Sequence, residues 1–285
     1  MTAAPPPSFR RFGPTEPVSP VVVSVPHAGR DYPDVMRSLL TVPVARLTML
    51  EDRHIDAVAT QALRDETMLV ALKARAWIDL NRSANRDRDP QMDAGADTSR
   101  GPPSEKVRSG IGLIPRRAGG ADNMWRRKLT DTEVVERIER DHAPYHAAID
   151  AALRSAHARF GIAILLDLHS MPPLVGLTPA KVVLGDRFGQ SAAGVLTDAV
   201  AAVVGAHDLP LAINHPYAGG HILAAHARPQ NGVHALQLEI DRSLYLDAGL
   251  DQPGVGLEAT ATMVRAVLDR LANLSLHMTR RIAAE

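Results

Sequence analysis

Five short apolar runs, at residues 21–25, 68–72, 162–166, 211–213 and 233–238, are separated by longer stretches of helical character. The first of them, VVVSV, is β-branched at four of five positions. Such side chains are stiff and suit a pleated, buried surface, so the run predicts a buried strand. It ends at Pro26-His27-Ala28-Gly29, which delivers a histidine into a loop. Helical stretches are expected near residues 44–63, 131–159, 190–206 and 257–274. Alternation of this kind predicts an α/β fold, a mixed and mainly parallel sheet flanked by helices. Thr130 followed by Glu133 has capping-box spacing at the start of the second stretch, and Pro144 inside it predicts a kink or a split.

With 285 residues, the chain is long enough for one large domain, expected over residues 19–285 behind a proline-rich extension at 1–18. Residues 82–128 break the pattern with Pro and Gly clusters and eleven Lys or Arg against six Asp or Glu, an excess of five positive charges. A structureless loop of that length is uncommon in a compact domain, so this basic insertion is expected to carry local structure or to cover a site. Formal net charge is zero and the pI is about 7.2, which argues against nucleic acid and anionic membranes as partners. The N-terminal twenty residues lack the apolar core of a secretory signal, and no stretch has the roughly 20 apolar residues of a membrane span, so a cytoplasmic enzyme is expected.

There is no cysteine, which removes disulfides, thiolate ligands and a cysteine nucleophile together. Any metal site must then use His, Asp or Glu. In open α/β sheets functional groups gather where strands end. His27 follows the first run; Asp79, Asn81 and Arg82 end or follow ARAWIDL, expected here as a strand; Asp167 and His169 follow IAILL; Glu239 ends VHALQLE. Two imidazoles and a carboxylate, with a fourth position for water, are the usual protein ligands of a catalytic zinc. His27 and His169 supply the imidazoles. EDRHID offers Glu51, Asp52 and Asp56 for the carboxylate, and on a helix Asp52 and Asp56 would share a face. Glu239 is the candidate proton shuttle for an attacking water. Arg75 is a candidate for oxyanion stabilisation, and Asn81 with Arg82 for capture of a substrate carboxylate. His142 and His146 lie four apart, like half a metal site, but no H-E-x-x-H pattern accompanies them and they are assigned a surface or packing role. No G-x-S-x-G elbow, Walker loop or dinucleotide fingerprint is present.

In order, VPHAG, EDRHIDAVA, RAWIDLNR, GLIPRR, PYHAAI, LLDLHS, GDRFG, GGHI and GVHALQLEIDRSLYLD resemble the N-formylglutamate amidohydrolase family over about residues 21–247. That resemblance implies a fold similar to zinc-dependent exopeptidases, of the phosphorylase/hydrolase-like kind, with one zinc ion on His27, Asp52 and His169. It also implies Glu239 as general base, with Arg75, Asn81 and Arg82 toward the substrate. The implied reaction is hydrolysis of N-formyl-L-glutamate, in histidine degradation, or of another small N-acyl acidic amino acid. A zinc amidase or carboxypeptidase-like activity on another N-acyl amino acid or peptide is the alternative, as is a non-catalytic metal-binding protein on this scaffold. Arg53, Ser83 and residues 83–110 depart from the family's glutamate-specific pattern, which leaves the acyl group and the amine open.

Overall fold

A computed structural model describes residues 7–282 apart from 119, 121 and 122; residues 1–6 of the N-terminal extension lie outside the described residues. Among the described residues seven strands form one sheet: β1 (Phe9–Phe12), β2 (Val21–Val25), β3 (Thr67–Ala71), β4 (Ala163–Met171), β5 (Val182–Gly185), β6 (Leu211–Ile213) and β7 (Val233–Asp241). Their order is β1-β3-β2-β4-β7-β5-β6. β4 is parallel to β2 and to β7, β5 is antiparallel to β7, and β6 is parallel to β5. The sheet is therefore mixed and mainly parallel, as the alternation predicts. The helices are α1 (Asp34–Ser38), α2 (Ile55–Ala62), α3 (Glu105–Arg108), α4 (Asp131–Arg137), α5 (Ala143–Phe160), α6 (Gly194–Ala206), α7 (His221–His226) and α8 (Leu257–Ile282). None of the described helices is long and apolar enough to cross a membrane.

By contact density the chain divides into two compact units. One comprises residues 11–25, 52–69 and 148–285. Its centre is the strand run Val21, Val22, Ile164, Leu165, Leu166, Leu236, Leu238 and Ile240, all within 2 % of full burial. Parallel strands covered on both faces need such continuous apolar runs. Helix α8 packs Val264, Val267, Leu268 and Leu271 inward and touches α2 and α6. The other unit comprises residues 1–10, 26–51 and 70–147 and has its own core, including Met36, Leu47, Ile78, Met92, Leu113, Ile114, Trp125 and Tyr145. The basic insertion belongs to this unit and is structured by ion pairs: Arg116 Nε donates to Asp89 Oδ2 at 2.8 Å, and Arg88 pairs with Asp93 and Asp131.

Four sequence expectations need correction. Residues 44–63 do not form one helix: two 3₁₀ turns, Val44–Arg46 and Thr48–Leu50, precede α2, and His54 enters α2 in the left-handed region at φ 56°. A left-handed residue cannot continue a right-handed helix, so Asp52 stands outside α2 and shares no helical face with Asp56. ARAWIDL is not a strand. Asp79 Oδ1 accepts from Asn81 N at 2.9 Å and Arg82 N bonds Asp79 O at 3.1 Å, local turns that compete with a sheet ladder. β4 and β7 run past the apolar stretches into their polar ends, because backbone pairing continues wherever the side chains find partners. β1 and β5 are not among the expected strands: FRRF is charged, whereas VVLG of β5 is as apolar as LAI of β6 and carries the same signal.

The expected break at Pro144 takes the form of a π-helical segment, Ile138–His142, joining α4 to α5. Proline has no N–H for the carbonyl four residues back, and its ring crowds that carbonyl. Here the carbonyl is that of Arg140, and Ser8 Oγ donates to it at 3.4 Å. The capping box at Thr130 and Glu133 is present in both halves.

Candidate metal centre

The register of β4 and β7 builds the centre. Asp167 pairs with Gln237 and His169 with Glu239. Alternation along a strand turns residues two apart to the same face. Accordingly His169 Nε2 lies 2.8 Å from Asp167 Oδ2, and Gln237 Nε2 donates to Glu239 Oε1 at 2.9 Å. Gln237 Oε1 in turn accepts from Gly220 N, at 3.1 Å, which fixes the amide that orients the Glu239 carboxylate. The other ring nitrogen, His169 Nδ1, is 2.9 Å from Asp52 Oδ2.

Asp52 is 2 % exposed and His169 likewise. The loop that carries Asp52 is anchored twice at the next residue: Arg53 Nη2 is 2.6 Å from Asp251 Oδ1, and Tyr245 Oη donates to Arg53 O at 2.7 Å. Arg242 Nη2 reaches Asp52 Oδ1 at 3.4 Å while its Nε donates to Ser170 Oγ. The other two acids of EDRHID are placed differently. Glu51 is buried but accepts from Tyr32 Oη at 2.5 Å, and Asp56 sits half-buried in the first turn of α2. Burial alone would push the His169 imidazole down, yet Asp167, Asp52 and Glu239 around it raise it well above the usual histidine range. Three carboxylates about one imidazole leave a surplus of negative charge, a setting that suits a cation.

His27 follows β2 by two residues and is 3 % exposed. Its Nε2 lies 2.7 Å from Oδ1 of Asp79, which is fully buried. Arg75 Nε donates to Asp79 Oδ2 at 2.8 Å, and Arg82 Nη2 is 3.6 Å away. Burial would raise this carboxyl, but Arg75, Arg82 and His27 hold it well below the usual carboxylate range. Arg82 is itself 6 % exposed, with Nε on Ile111 O and Nη1 on Asn81 O, each at 2.8 Å. Both imidazoles thus have a carboxylate at Nε2, the kind of partner that orients the ring of a metal-binding histidine. His27, Asp52 and His169 each offer one ligand atom, and the three atoms lie within 4.8 Å of one another. Two imidazoles and a carboxylate form a donor set that zinc accepts.

The sequence model of the N-formylglutamate amidohydrolase family matches residues 19–246. The chain belongs to this family. Among curated relatives, the N-formylglutamate deformylase of Pseudomonas putida is 30 % identical over 261 residues, which cover 88 % of this chain and 90 % of that protein. The N-formylglutamate deformylase of Pseudomonas aeruginosa is 28 % identical over 88 % of this chain and 92 % of that protein. Among solved structures, N-formylglutamate amidohydrolase from Ralstonia eutropha JMP134 superposes with a TM-score of 0.83 at 33 % identity, covering 96 % of this chain and 99 % of that one. A gene product of Agrobacterium tumefaciens shares the fold, with a TM-score of 0.70 at 17 % identity over 94 % and 95 % of the two chains.

Of the residues expected from the sequence, the structure brings His27, Asp52 and His169 together and puts Glu239 across from His169 on the neighbouring strand. It fastens Arg75 to Asp79 and spends two nitrogens of Arg82 on backbone carbonyls. Sequence reasoning named Asp79 and Asp167 without giving them a task; both back an imidazole. The D-x-H spacing on a strand was a usable signal for Asp167, whereas nothing local links Asp79 to a histidine 52 positions earlier. Gln237 was missed, though it stands two residues before Glu239 on the same strand face. His142 and His146, assigned a surface or packing role, bond the loop that carries Asn81 and Arg82. The insertion also frames an open cavity of about 570 Å³ lined by residues such as Arg86, Arg88, Asp97 and Ser104, none of them a site candidate.

Proposed function

We propose that this chain is a zinc-dependent amidohydrolase, cytoplasmic and built as one domain over residues 19–285, that converts N-formyl-L-glutamate to L-glutamate and formate in histidine degradation. The observation that carries the reading is the pair of carboxylate-backed imidazoles, His27 and His169, whose ligand atoms lie with that of Asp52 inside 4.8 Å. Family membership and the names of the relatives, N-formylglutamate deformylase among them, support the substrate. His27, Asp52 and His169 would hold the ion. When bound, zinc supplies Lewis acidity at the amide carbonyl and makes water a better nucleophile at neutral pH.

The rest falls to side chains. Glu239 takes the proton of the attacking water as its oxygen adds to the formyl carbon, and returns a proton to the amine nitrogen as the C–N bond breaks. Gln237 donates to one oxygen of that carboxylate and orients it. Arg75, 19 % exposed at its side chain, offers a permanent cation for the developing oxyanion. Asn81 and Arg82 serve the substrate's α-carboxylate. The test is formate release from N-formyl-L-glutamate by purified protein, before and after a chelator, and after zinc is returned. Release that stops with chelator and resumes with zinc is expected. A zinc-loaded protein that releases no formate would refute the substrate, and release untouched by complete metal removal would refute the mechanism.

A further inference from the structure

We infer that His142 and His146 are positioning residues for substrate binding: together they hold the irregular segment carrying Asn81 and Arg82 in the shape that receives the α-carboxylate. The inference rests on the role proposed above for Asn81 and Arg82. Residues 75–82 run outside any strand, yet Ile78, Asp79, Leu80, Asn81 and Arg82 are all buried. Buried backbone without a ladder must find its partners elsewhere. Three successive carbonyls do so through side chains. His146 Nε2 is 2.9 Å from Leu80 O, Arg82 Nη1 donates to Asn81 O at 2.8 Å, and His142 Nε2 is 2.8 Å from Arg82 O. A carbonyl only accepts, so each imidazole carries its proton on Nε2 and donates it.

The two histidines are four apart across the junction of the π segment and α5, so they project from one face. Their rings stack at 4.3 Å between centroids, 29° from parallel. The carbonyls they bind flank Asn81 on either side. The same helical stretch grips the segment once more: Arg137 Nη1 donates to Trp77 O at 2.8 Å, and Trp77 Nε1 donates to Asp141 Oδ2 at 2.7 Å. Arg137 also lies over the Trp77 ring, 3.6 Å from its centroid. Packing alone would need shape at positions 142 and 146 and no donor. The hydrogen bonds instead require an N–H aimed at each carbonyl, and they act on Asn81 and Arg82 rather than on the reacting amide.

The role is tested with His142 and His146 changed singly to Gln, which keeps a donor, and to Met, which keeps bulk and removes it. Each variant is assayed on N-formyl-L-glutamate and on its α-carboxamide, whose capped carboxylate no longer needs the segment. For the Met variants KM for the free acid is expected to rise roughly tenfold, the scale of one lost hydrogen bond to an orienting group, with kcat within about threefold. Their kcat/KM on the α-carboxamide and their bound zinc should match wild type, and Gln should restore most of the loss. Equal losses on both substrates, a fall in kcat alone, loss of zinc, or Met variants as good as Gln would overturn the positioning role. Should a Met variant fail to fold, the Gln variants still decide: wild-type-like KM supports the inference and a tenfold rise refutes it. Wild-type protein inactive on N-formyl-L-glutamate would remove the proposed substrate and this inference together, whereas an active wild type with unselective variants removes the inference alone.

Discussion

Replacing Asp79 with Asn puts a number on what this buried carboxylate holds. Its side chain is fully buried and meets His27 Nε2 at 2.7 Å, Arg75 Nε at 2.8 Å and Asn81 N at 2.9 Å, with Arg82 Nη2 at 3.6 Å. Asn keeps the volume but removes the charge, and it turns an NH₂ group toward one of these donors. Removing one partner of a buried ion pair costs about 3–5 kcal/mol, since the remaining charge stays uncompensated. The Arg75 side chain is 19 % exposed and recovers some water, while that of Arg82 is 7 % exposed and cannot, so a loss near the lower end, about 3 kcal/mol, is expected. A second effect follows from His27, which loses the acceptor that fixes its tautomer. On the proposed function, zinc affinity should fall ten- to hundredfold. Urea unfolding at pH 7 reads the first quantity and competition with a chromophoric chelator the second. An Asp79→Asn protein within about 1 kcal/mol of wild type and with unchanged zinc affinity would refute both halves of the reasoning.

Glu239→Gln is isosteric, leaves His27, Asp52 and His169 intact, and should keep its zinc while kcat falls by about 10²–10⁴, as expected for a lost general base; full turnover by a zinc-loaded Gln protein would rule Glu239 out as the shuttle. Glu133, which caps α4 and accepts both Arg127 Nη1 and Nη2 at 2.7 Å, is held down to about 2, first by Arg127 and then by Thr130. Because this folded value lies below the unfolded one of about 4.3, its stabilisation is complete above about pH 4.3 and is lost as pH falls toward 2; the stability gap between wild type and Glu133→Gln should close over that window, and a gap that stays constant from pH 6 to pH 2 would contradict the assignment.

What could be read from the sequence follows how local the cause is. VVVSV names its strand because β-branched residues in a row have few other uses, and Thr130 with Glu133 names a helix start because the cap is a four-residue device. Pro144 announces a disturbance but not its kind, since whether the helix kinks, splits or widens depends on what meets the carbonyl of Arg140, and Ser8 is 132 residues away. The stretch 44–63 reads as helix because its apolar spacing fits one. A left-handed His54 ends that reading, and backbone conformation at a single residue has no periodic signature. ARAWIDL looks like a strand by composition; Asp79 instead ties the backbone into turns by bonding its own neighbours.

The centre shows the same divide within a single chemical device. His169 and His27 each have a carboxylate at Nε2. For His169 the carboxylate is Asp167, two residues back on one strand, so the period of the strand alone puts the two on one face. For His27 it is Asp79, and only the fold of a loop with no regular structure brings it there. That loop has to be stabilised before it can hold anything. Its carbonyls are bound by His142, His146 and Arg82, and its one buried carboxylate is balanced by Arg75 and Arg82. On the proposed function, the histidines that look idle in the sequence hold the backbone on which Asp79, Asn81 and Arg82 stand. A residue's distance from the reacting atoms is therefore a poor guide to its importance here; what matters is whether the backbone it bonds has any other partner.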